Sequence, residues 1–220
     1  SLDNGGGGNW EAYGGAEINR IKPITKAEFT AVLEQEAAIS SRIDALSKSM
    51  KVTLTVNVPE DSNLNECVKA VHLVHMDKNF TADRTLTIVV GKGAHQIDDE
   101  NYLKIPSAMN IVGDPGVPKS EIVVVGGIWF KKGIQGSCHL QHLTLRQAKG
   151  HGVAGLSSFT MEDVLVEQSG GEGVVAFGSG VGVVGRCTNV EVRQCGNSGV
   201  AAYDGASITL IGAKTTVHHN

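Results

Sequence analysis

Aromatic residues make up only 5% of this 220-residue chain, so its core has to be built largely from smaller side chains. No apolar run approaches the ~18–20 residues that cross a bilayer, and the sequence therefore predicts no membrane span. The formal net charge is −4. A protein that follows nucleic-acid phosphates needs a basic excess, so we expect no nucleic-acid partner.

The four cysteines contain no Cys-x-x-Cys pair, which argues against a zinc site and against a dense disulfide frame. We expect no cofactor. Glycine, in contrast, accounts for 28 of the 220 residues, nearly twice the usual share. Most of these glycines fall at the corners of a repeat, where we expect them to supply a positive φ.

A repeat runs through the last third of the chain. Its three clear copies are 140–147, 161–168 and 187–194, and a degenerate fourth is 213–220. Each clear copy reads apolar, any, polar, apolar, any, apolar, charged, Gln, and is followed by a glycine turn and a valine. The steps of 21 and 26 residues indicate stacked units that cannot bury their apolar faces alone. Cys187 shares a slot with Leu140 and Met161, which predicts a buried cysteine.

The apolar residues within each copy alternate, as they do in strands. We predict that six of them point inward: Leu143, Leu145, Val164, Val166, Val190 and Val192. Short strands with glycine corners, two or three to a turn of ~22–25 residues, describe a parallel β-helix. The predicted fold is therefore mostly β, a right-handed parallel β-helix formed as a single-stranded solenoid, with a capping helix and an N-terminal helix that carries heptads.

Three regions are predicted along the chain. Residues 1–24 form a Gly-rich extended segment or the tail of a preceding unit, residues 25–50 a helix, and residues 51–220 the β-helix. We expect this β-helix to continue beyond residue 220 in a longer tandem chain. A second helix, at 62–76, is predicted to cover the N-terminal mouth of the solenoid because its apolar face needs a partner.

The helix at 25–50 carries a heptad seam, which favours a coiled coil with a partner helix or self-association. The alternative is a single amphipathic helix packed on its own chain. The seam is interrupted by Glu36, and its apolar members are Phe29, Val32, Ile39, Ile43, Leu46 and Met50.

The chain resembles known β-helix proteins over roughly residues 52–220. The stretches "VPEDSNLNECVKAVH", "LTIVVGKGAHQI", "LKIPSAMNIVGDPG" and "IVVVGG" are similar to the opening of pectin-lyase-like right-handed parallel β-helix proteins, pectin methylesterases included. The stretches "TLRQAKGHGV", "EDVLVEQ" and "NVEVRQCGNSGV" are similar to right-handed β-helix repeat proteins of marine algae and other protists. The resemblance implies the fold and a polysaccharide as a possible partner, and it says little about activity.

The catalytic candidates are weak. Gly150-His151-Gly152 matches the short motif of polygalacturonases, but the acids and the Arg-Ile-Lys of those enzymes are missing from the repeat. The paired acids Asp98 and Asp99 lie in an earlier turn. The repeat itself explains the glycines beside His151, so we expect His151→Ala to change stability by less than ~0.5 kcal/mol. No complete set for a pectin methylesterase or a pectate lyase is present either.

Other polar positions favour structural roles. One slot of the repeat holds Arg146, Glu167 and Arg193, a ladder of alternating charge, and the next holds Gln147, Gln168 and Gln194, an amide ladder. A further slot holds His142, Asp163 and Asn189, residue types that suit a tight turn, with a metal site as the alternative. His72 and His75 lie on one helix face, but two imidazoles without a third ligand do not make a zinc site.

These patterns favour a non-catalytic solenoid that serves as a structural or binding module within a larger repeat protein or assembly. The alternative is a carbohydrate-active enzyme, a polysaccharide hydrolase, lyase or esterase, in which titratable groups would converge in one groove.

Overall fold

The computed structural model describes residues 25–49, 53–59, 63–76, 85–97, 100–178 and 182–220. The chain divides into two compact units, residues 1–50 and 51–220. The described part of the first unit is the helix α1, Lys26–Ser49. The second unit is mostly β and carries one further described helix, α2, Leu64–His75.

The second unit is a right-handed parallel β-helix of about five turns, as the sequence predicts. Its eighteen described strands form three parallel sheets, and from β2 onwards each full turn adds one strand to each sheet. Sheet A contains β1 Thr53–Val58, β2 Thr85–Val90, β5 Asn110–Gly113, β8 Cys138–Gln141, β11 Phe159–Glu162, β14 Val184–Thr188 and β17 Ser207–Ile211. Sheet B contains β3 Gly93–Gln96, β6 Ile122–Val125, β9 Thr144–Arg146, β12 Leu165–Glu167, β15 Glu191–Arg193 and β18 Thr216–His218. Sheet C contains β4 Tyr102–Ile105, β7 Gly127–Phe130, β10 Val153–Gly155, β13 Val174–Phe177 and β16 Val200–Tyr203.

The core runs along the solenoid axis as stacks of equivalent residues. In sheet A, Leu140, Met161 and Cys187 pair in register, and none of them is more than 1% exposed. The Cys187 thiol lies 3.9 Å from Met161 Sδ, and burial raises its pKa to about 12. The six residues predicted to point inward are confirmed, since each is at most 1% exposed: Leu143, Leu145, Val164, Val166, Val190 and Val192.

The helix α2 closes the N-terminal mouth of the solenoid. It lies between β1 and β2 in the chain, which pair directly, and it contacts β1, β2 and β4. Among the described residues of this first turn, α2 stands where later turns have strands of sheets B and C. Asn63 caps it, because its Oδ1 accepts a hydrogen bond from the backbone N–H of Asn65 at 2.9 Å. Leu64, Val68 and Val71 are at most 2% exposed, which confirms the predicted capping role.

The structure corrects the expectation that the corner glycines of the repeat supply a positive φ. Positive φ does occur at six glycines: Gly93, Gly126, Gly133, Gly136, Gly205 and Gly212. At the corners of the three clear repeat copies, however, left-handed backbone with φ of 52–59° is found at polar residues: His142, Asp163, Asn189, Gln147, Gln168 and Gln194. Short polar side chains such as Asn and Asp tolerate this conformation better than branched ones. Gly152 lies outside the left-handed region. A Cβ there would come within 2.4 Å of Val166 Cγ1 and 2.7 Å of the Gly173 carbonyl oxygen. The prediction of positive φ is wrong at this corner, where glycine is needed because neighbouring turns approach closely.

A non-repeating excursion between β5 and β6 covers part of sheet B. It ends in a 3₁₀ turn, Lys119–Glu121. The hydroxyl of Thr144, an outward residue of β9, donates to the Lys119 carbonyl oxygen at 2.9 Å and is fully buried. The outer face of sheet B is thus partly closed. In sheet C the outward Ala154 and Val175 are also fully buried.

Candidate functional site: the outer face of sheet C

Five rings lie in or beside sheet C, one from each of five successive turns. Tyr102 and Trp129 meet edge to face, with ring centroids 5.3 Å apart. Phe177 and Tyr203 stack at 5.6 Å, and His151 lies 6.1 Å from Phe177. These five residues are called the aromatic row. With ~4.8 Å between turns, its four steps extend over about 19 Å along the solenoid axis.

Two adjoining cavities, of about 550 and 430 Å³, open at the start of the aromatic row. They share Glu100, Tyr102, Lys104 and Lys131, while Trp129 lines the smaller one. The larger cavity extends to α2. Lys104 forms an ion pair with Glu100, which neutralises its charge. The wall shared by the two cavities therefore carries one neutralised lysine, Lys104, and the ammonium group of Lys131. The aromatic row therefore begins in a concave, mainly apolar region with a cationic rim.

Three glycines make room for the row. A Cβ at Gly127 would lie 2.7 Å from Tyr102 Cε1, and one at Gly150 would lie 2.3 Å from its hydroxyl oxygen. That hydroxyl accepts a hydrogen bond from the backbone N–H of His151, with 2.6 Å between N and O. A Cβ at Gly171 would lie 3.0 Å from His151 Nδ1. Glycine at these positions lets Tyr102 and His151 lie against the backbone.

His151 contacts a buried carboxylate. Its Nδ1 lies 2.6 Å from Glu172 Oε2, and both atoms are shielded from solvent. The two atoms are in close polar contact, although the ring N–H is not aligned for a linear hydrogen bond. The other carboxylate oxygen of Glu172 accepts a hydrogen bond from the Tyr203 hydroxyl at 3.1 Å. Glu172 thus joins the third and fifth rings of the aromatic row.

Glu172 remains a carboxylate despite its burial. Burial alone would raise its pKa, but hydrogen bonds from its own backbone N–H and from Tyr203, together with the nearby His151, hold that pKa below its usual range. Since an ordinary glutamate already ionises near pH 4.3, Glu172 carries its negative charge at neutral pH.

The sequence analysis missed Glu172, although the repeat contained the signal. Gly150-His151-Gly152 and Gly171-Glu172-Gly173 are equivalent corners, and the strands that follow them pair Val153 with Val174. Residues in equivalent slots of neighbouring turns lie side by side. The expected small effect of His151→Ala assumed that His151 is only a surface turn residue, and its contact with Glu172 contradicts that assumption. It would leave a buried carboxylate without its imidazole neighbour, a loss that typically costs about 1–3 kcal/mol.

One of the remaining candidate site residues, His72, lines the larger cavity on the side of α2. Asp98 and Asp99 lie outside the described residues. His72 Nδ1 lies 3.3 Å from the Ser107 hydroxyl oxygen. His75 belongs to α2, and its side chain lies outside what the structure describes. Within the described ranges no group of three or more His, Cys, Asp or Glu side chains could hold a metal ion.

The charged slot of sheet B forms a chain of ion pairs. Arg146 Nε lies 2.6 Å from Glu167 Oε1, and Arg193 places Nε and a terminal nitrogen 3.0 and 2.8 Å from Glu167 Oε2. The Glu167 side chain is only 5% exposed. Burial alone would raise its pKa, but hydrogen bonds from Arg193 and Arg146 hold that pKa below its usual range. These three residues are called the charge ladder.

The amide slot is less continuous. Gln168 Nε2 lies 3.4 Å from Gln194 Oε1, at the long end for a hydrogen bond. Gln147 occupies the same corner one turn earlier, with φ of 59°. All three glutamines share this left-handed conformation. The slot therefore shapes the turn in addition to forming an amide ladder.

The helix α1 presents apolar side chains to solvent. Val32 is 52% exposed, Leu33 49% and Ile39 58%. The side chains of Phe29, Ile43 and Leu46, and residue Met50, lie outside what the structure describes. Neither helix in the described residues is long and apolar enough to span a bilayer.

A scan against protein-family models, a search of curated proteins and a search of solved structures each gave no match to this chain. A functional assignment therefore has to rest on the residues of the site.

Proposed function

We propose that the solenoid is a non-catalytic binding module that holds a polysaccharide chain on the outer face of sheet C. The observation that carries this proposal is the pair of adjoining cavities at the start of the aromatic row, which share Tyr102 and reach Trp129. Binding sites for small molecules are typically concave and mainly apolar, with a few polar groups that fix orientation. Aromatic rings supply contact area at a low cost in conformational entropy.

The lysines at the cavities define the expected ligand chemistry. Lys104 and Lys131 can donate hydrogen bonds to hydroxyl or carboxylate oxygens of a sugar. Because Glu100 compensates Lys104, the excess positive charge is small. We expect carboxylated chains to bind somewhat more tightly than neutral ones at low salt, and this advantage to shrink as salt screens the exposed charges.

The proposal is tested by titrating the protein calorimetrically with cellohexaose, mannohexaose and hexagalacturonate. Trp129→Ala should weaken binding of the active probe at least tenfold, as truncation of an aromatic anchor usually does. Leu210→Ala is the matched control, since Leu210 is an exposed apolar residue on sheet A. Binding of none of the three probes, or equal affinities of wild type and Trp129→Ala, would contradict the proposal.

A carbohydrate-active enzyme is the second candidate, and the contact between His151 and Glu172 favours it. A carboxylate that orients an imidazole is a common arrangement around a general base. Incubation of the same oligosaccharides with purified protein, followed by mass analysis of the products, decides between the two. Turnover that is lost in His151→Ala would replace the binding module with the enzyme.

We also propose that α1 links copies of the chain into a larger assembly. Val32, Leu33 and Ile39 are exposed on α1, and the predicted heptad seam recurs in every copy of the chain. A second, identical helix supplies matching apolar positions at the same spacing. Self-association would present several binding faces together and raise the avidity for a long polymer.

A further inference from the structure

His151 occupies the middle of the aromatic row and is held from one side. Its Nδ1 is buried against Glu172, yet 28% of its side chain is exposed. Nε2, unlike Nδ1, is not among the side-chain atoms shielded from solvent. Among the described residues no hydrogen bond reaches Nε2, so this nitrogen is open to a ligand.

The surroundings of Nδ1 determine what Nε2 can do. A carboxylate 2.6 Å from Nδ1 favours the tautomer that carries its proton there. Nε2 then keeps its lone pair and becomes a hydrogen-bond acceptor. Tyr203 holds the opposite oxygen of Glu172, and the Tyr102 hydroxyl accepts from the backbone N–H of His151. The ring is thus oriented by groups from three other turns.

We propose that His151 is the polar ligand contact of the aromatic row: its Nε2 accepts a hydrogen bond from a saccharide hydroxyl, and Glu172 is the positioning residue that sets the required tautomer. This inference rests on the proposed binding function and deepens it. Phe177, 6.1 Å from the imidazole, supplies an apolar neighbour that limits competing water. A hydroxyl group fits Nε2 because its O–H donates a hydrogen bond, whereas an ionised sugar carboxylate can only accept one.

Calorimetric titration at pH 8 with the oligosaccharide that binds wild type tests the contact. His151→Ala should weaken binding about fivefold, the typical worth of one net hydrogen bond. Glu172→Gln should weaken it by a smaller factor, because the amide no longer favours one tautomer. His139→Ala is the matched control: His139 lies on sheet A of the same turn, with Nδ1 2.6 Å from the Thr160 hydroxyl oxygen. Its affinity should equal that of wild type.

The outcomes separate this inference from the proposed function. If Trp129→Ala loses binding while His151→Ala binds as wild type, the binding face stands and the role of His151 is wrong. If none of the probes binds wild type, the proposed function itself fails.

A second measurement keeps the test informative if His151→Ala folds poorly. Nitrogen-15 NMR of the wild-type imidazole should show the proton on Nδ1 and the lone pair on Nε2. Adding the oligosaccharide should shift the Nε2 resonance, and Glu172→Gln should mix the tautomers. An Nε2–H tautomer in wild type, or an Nε2 signal that the bound ligand leaves unchanged, would overturn the proposal.

Discussion

His142 Nδ1 lies 2.8 Å from Asp163 Oδ2, and the two residues occupy the same left-handed corner on neighbouring turns. The other ring nitrogen of His142 lies 2.9 Å from the Val117 carbonyl oxygen. Both nitrogens therefore face acceptors, which favours the charged imidazolium. Lys119 Nζ completes the cluster 2.6 Å from Asp163 Oδ1. The hydrogen bond to Asp163 is the main reason that the pKa of His142 is raised.

Stability should therefore depend on pH through His142. Because its folded-state pKa is raised, the stabilisation is fully present below the unfolded value of ~6.5 and is lost as pH rises through the folded pKa. The cluster is partly exposed, so the effect should stay below about 1 kcal/mol. Urea unfolding between pH 6 and 9 should show a decline in wild type that is absent from His142→Asn. Parallel pH curves for the two proteins would contradict the assignment.

Glu167→Gln should destabilise the solenoid by about 1–3 kcal/mol, since it removes the charge that compensates Arg146 and Arg193 in a nearly buried position. Chemical denaturation at pH 7 measures this loss. Glu191→Gln is the control, because that side chain is 32% exposed and its pair with Arg193 should contribute less than about 1 kcal/mol. Equal losses in both variants would show that burial of Glu167 is unimportant.

The same carboxylate predicts a response to acid. The pKa of Glu167 is held below its usual range, so its contribution is present above the unfolded value of ~4.3 and is lost as pH falls through the folded pKa. Thermal unfolding of wild type should move steeply to lower temperature below about pH 4, and Glu167→Gln should move less. Identical acid profiles would count against the charge ladder as the cause.

Gly152→Val should destabilise the protein by about 2–3 kcal/mol or prevent folding, through steric overlap rather than backbone strain. A Cβ at Gly152 would meet Val166 Cγ1 at 2.4 Å and Ser169 Oγ at 2.8 Å. Gly182→Ala is the control, since a Cβ there meets nothing within 4 Å and its φ is not left-handed. The free energies of unfolding from urea titrations should differ clearly. A Gly152→Val protein as stable as Gly182→Ala would show that the turns can separate.

Ile39→Asp should lower the mass of any oligomer that α1 forms, because a carboxylate cannot be buried in an apolar seam. Static light scattering over a range of concentrations measures the mass. Ser40→Asp adds the same charge to the neighbouring exposed position and serves as the control. A wild-type protein that is monomeric at all concentrations would contradict self-association directly.

The sequence predicted the solenoid because its inward slots repeat. Val164 and Val190 show the alternation that a strand requires, and both are buried. Left-handed conformations at residues such as Gln168 were not predicted, because a long polar side chain gives little local signal for positive φ. Burial of the outward Thr144 depends on an excursion that does not repeat. Periodicity cannot foresee a cover supplied by a unique segment.

The candidate site was predicted only in part for a related reason. His151 was noticed through a short motif, whereas Glu172 became visible only when the two turns were placed side by side. Tyr203 reaches Glu172 from a different position along its own strand, two turns away from His151. Such a contact depends on how far a side chain extends over the sheet, which no slot of the repeat specifies.

The charge ladder also restricts how this solenoid can change length. Each turn contacts only its neighbours. If a whole turn were deleted, the turns on either side of it would meet, and in most slots their equivalent residues would still match. Removing the turn that carries Glu167 would instead place Arg193 directly beside Arg146, two like charges on adjacent strands. At this position, variants that lose a single turn should be disfavoured, so the order of charges along the ladder helps to conserve the number of turns.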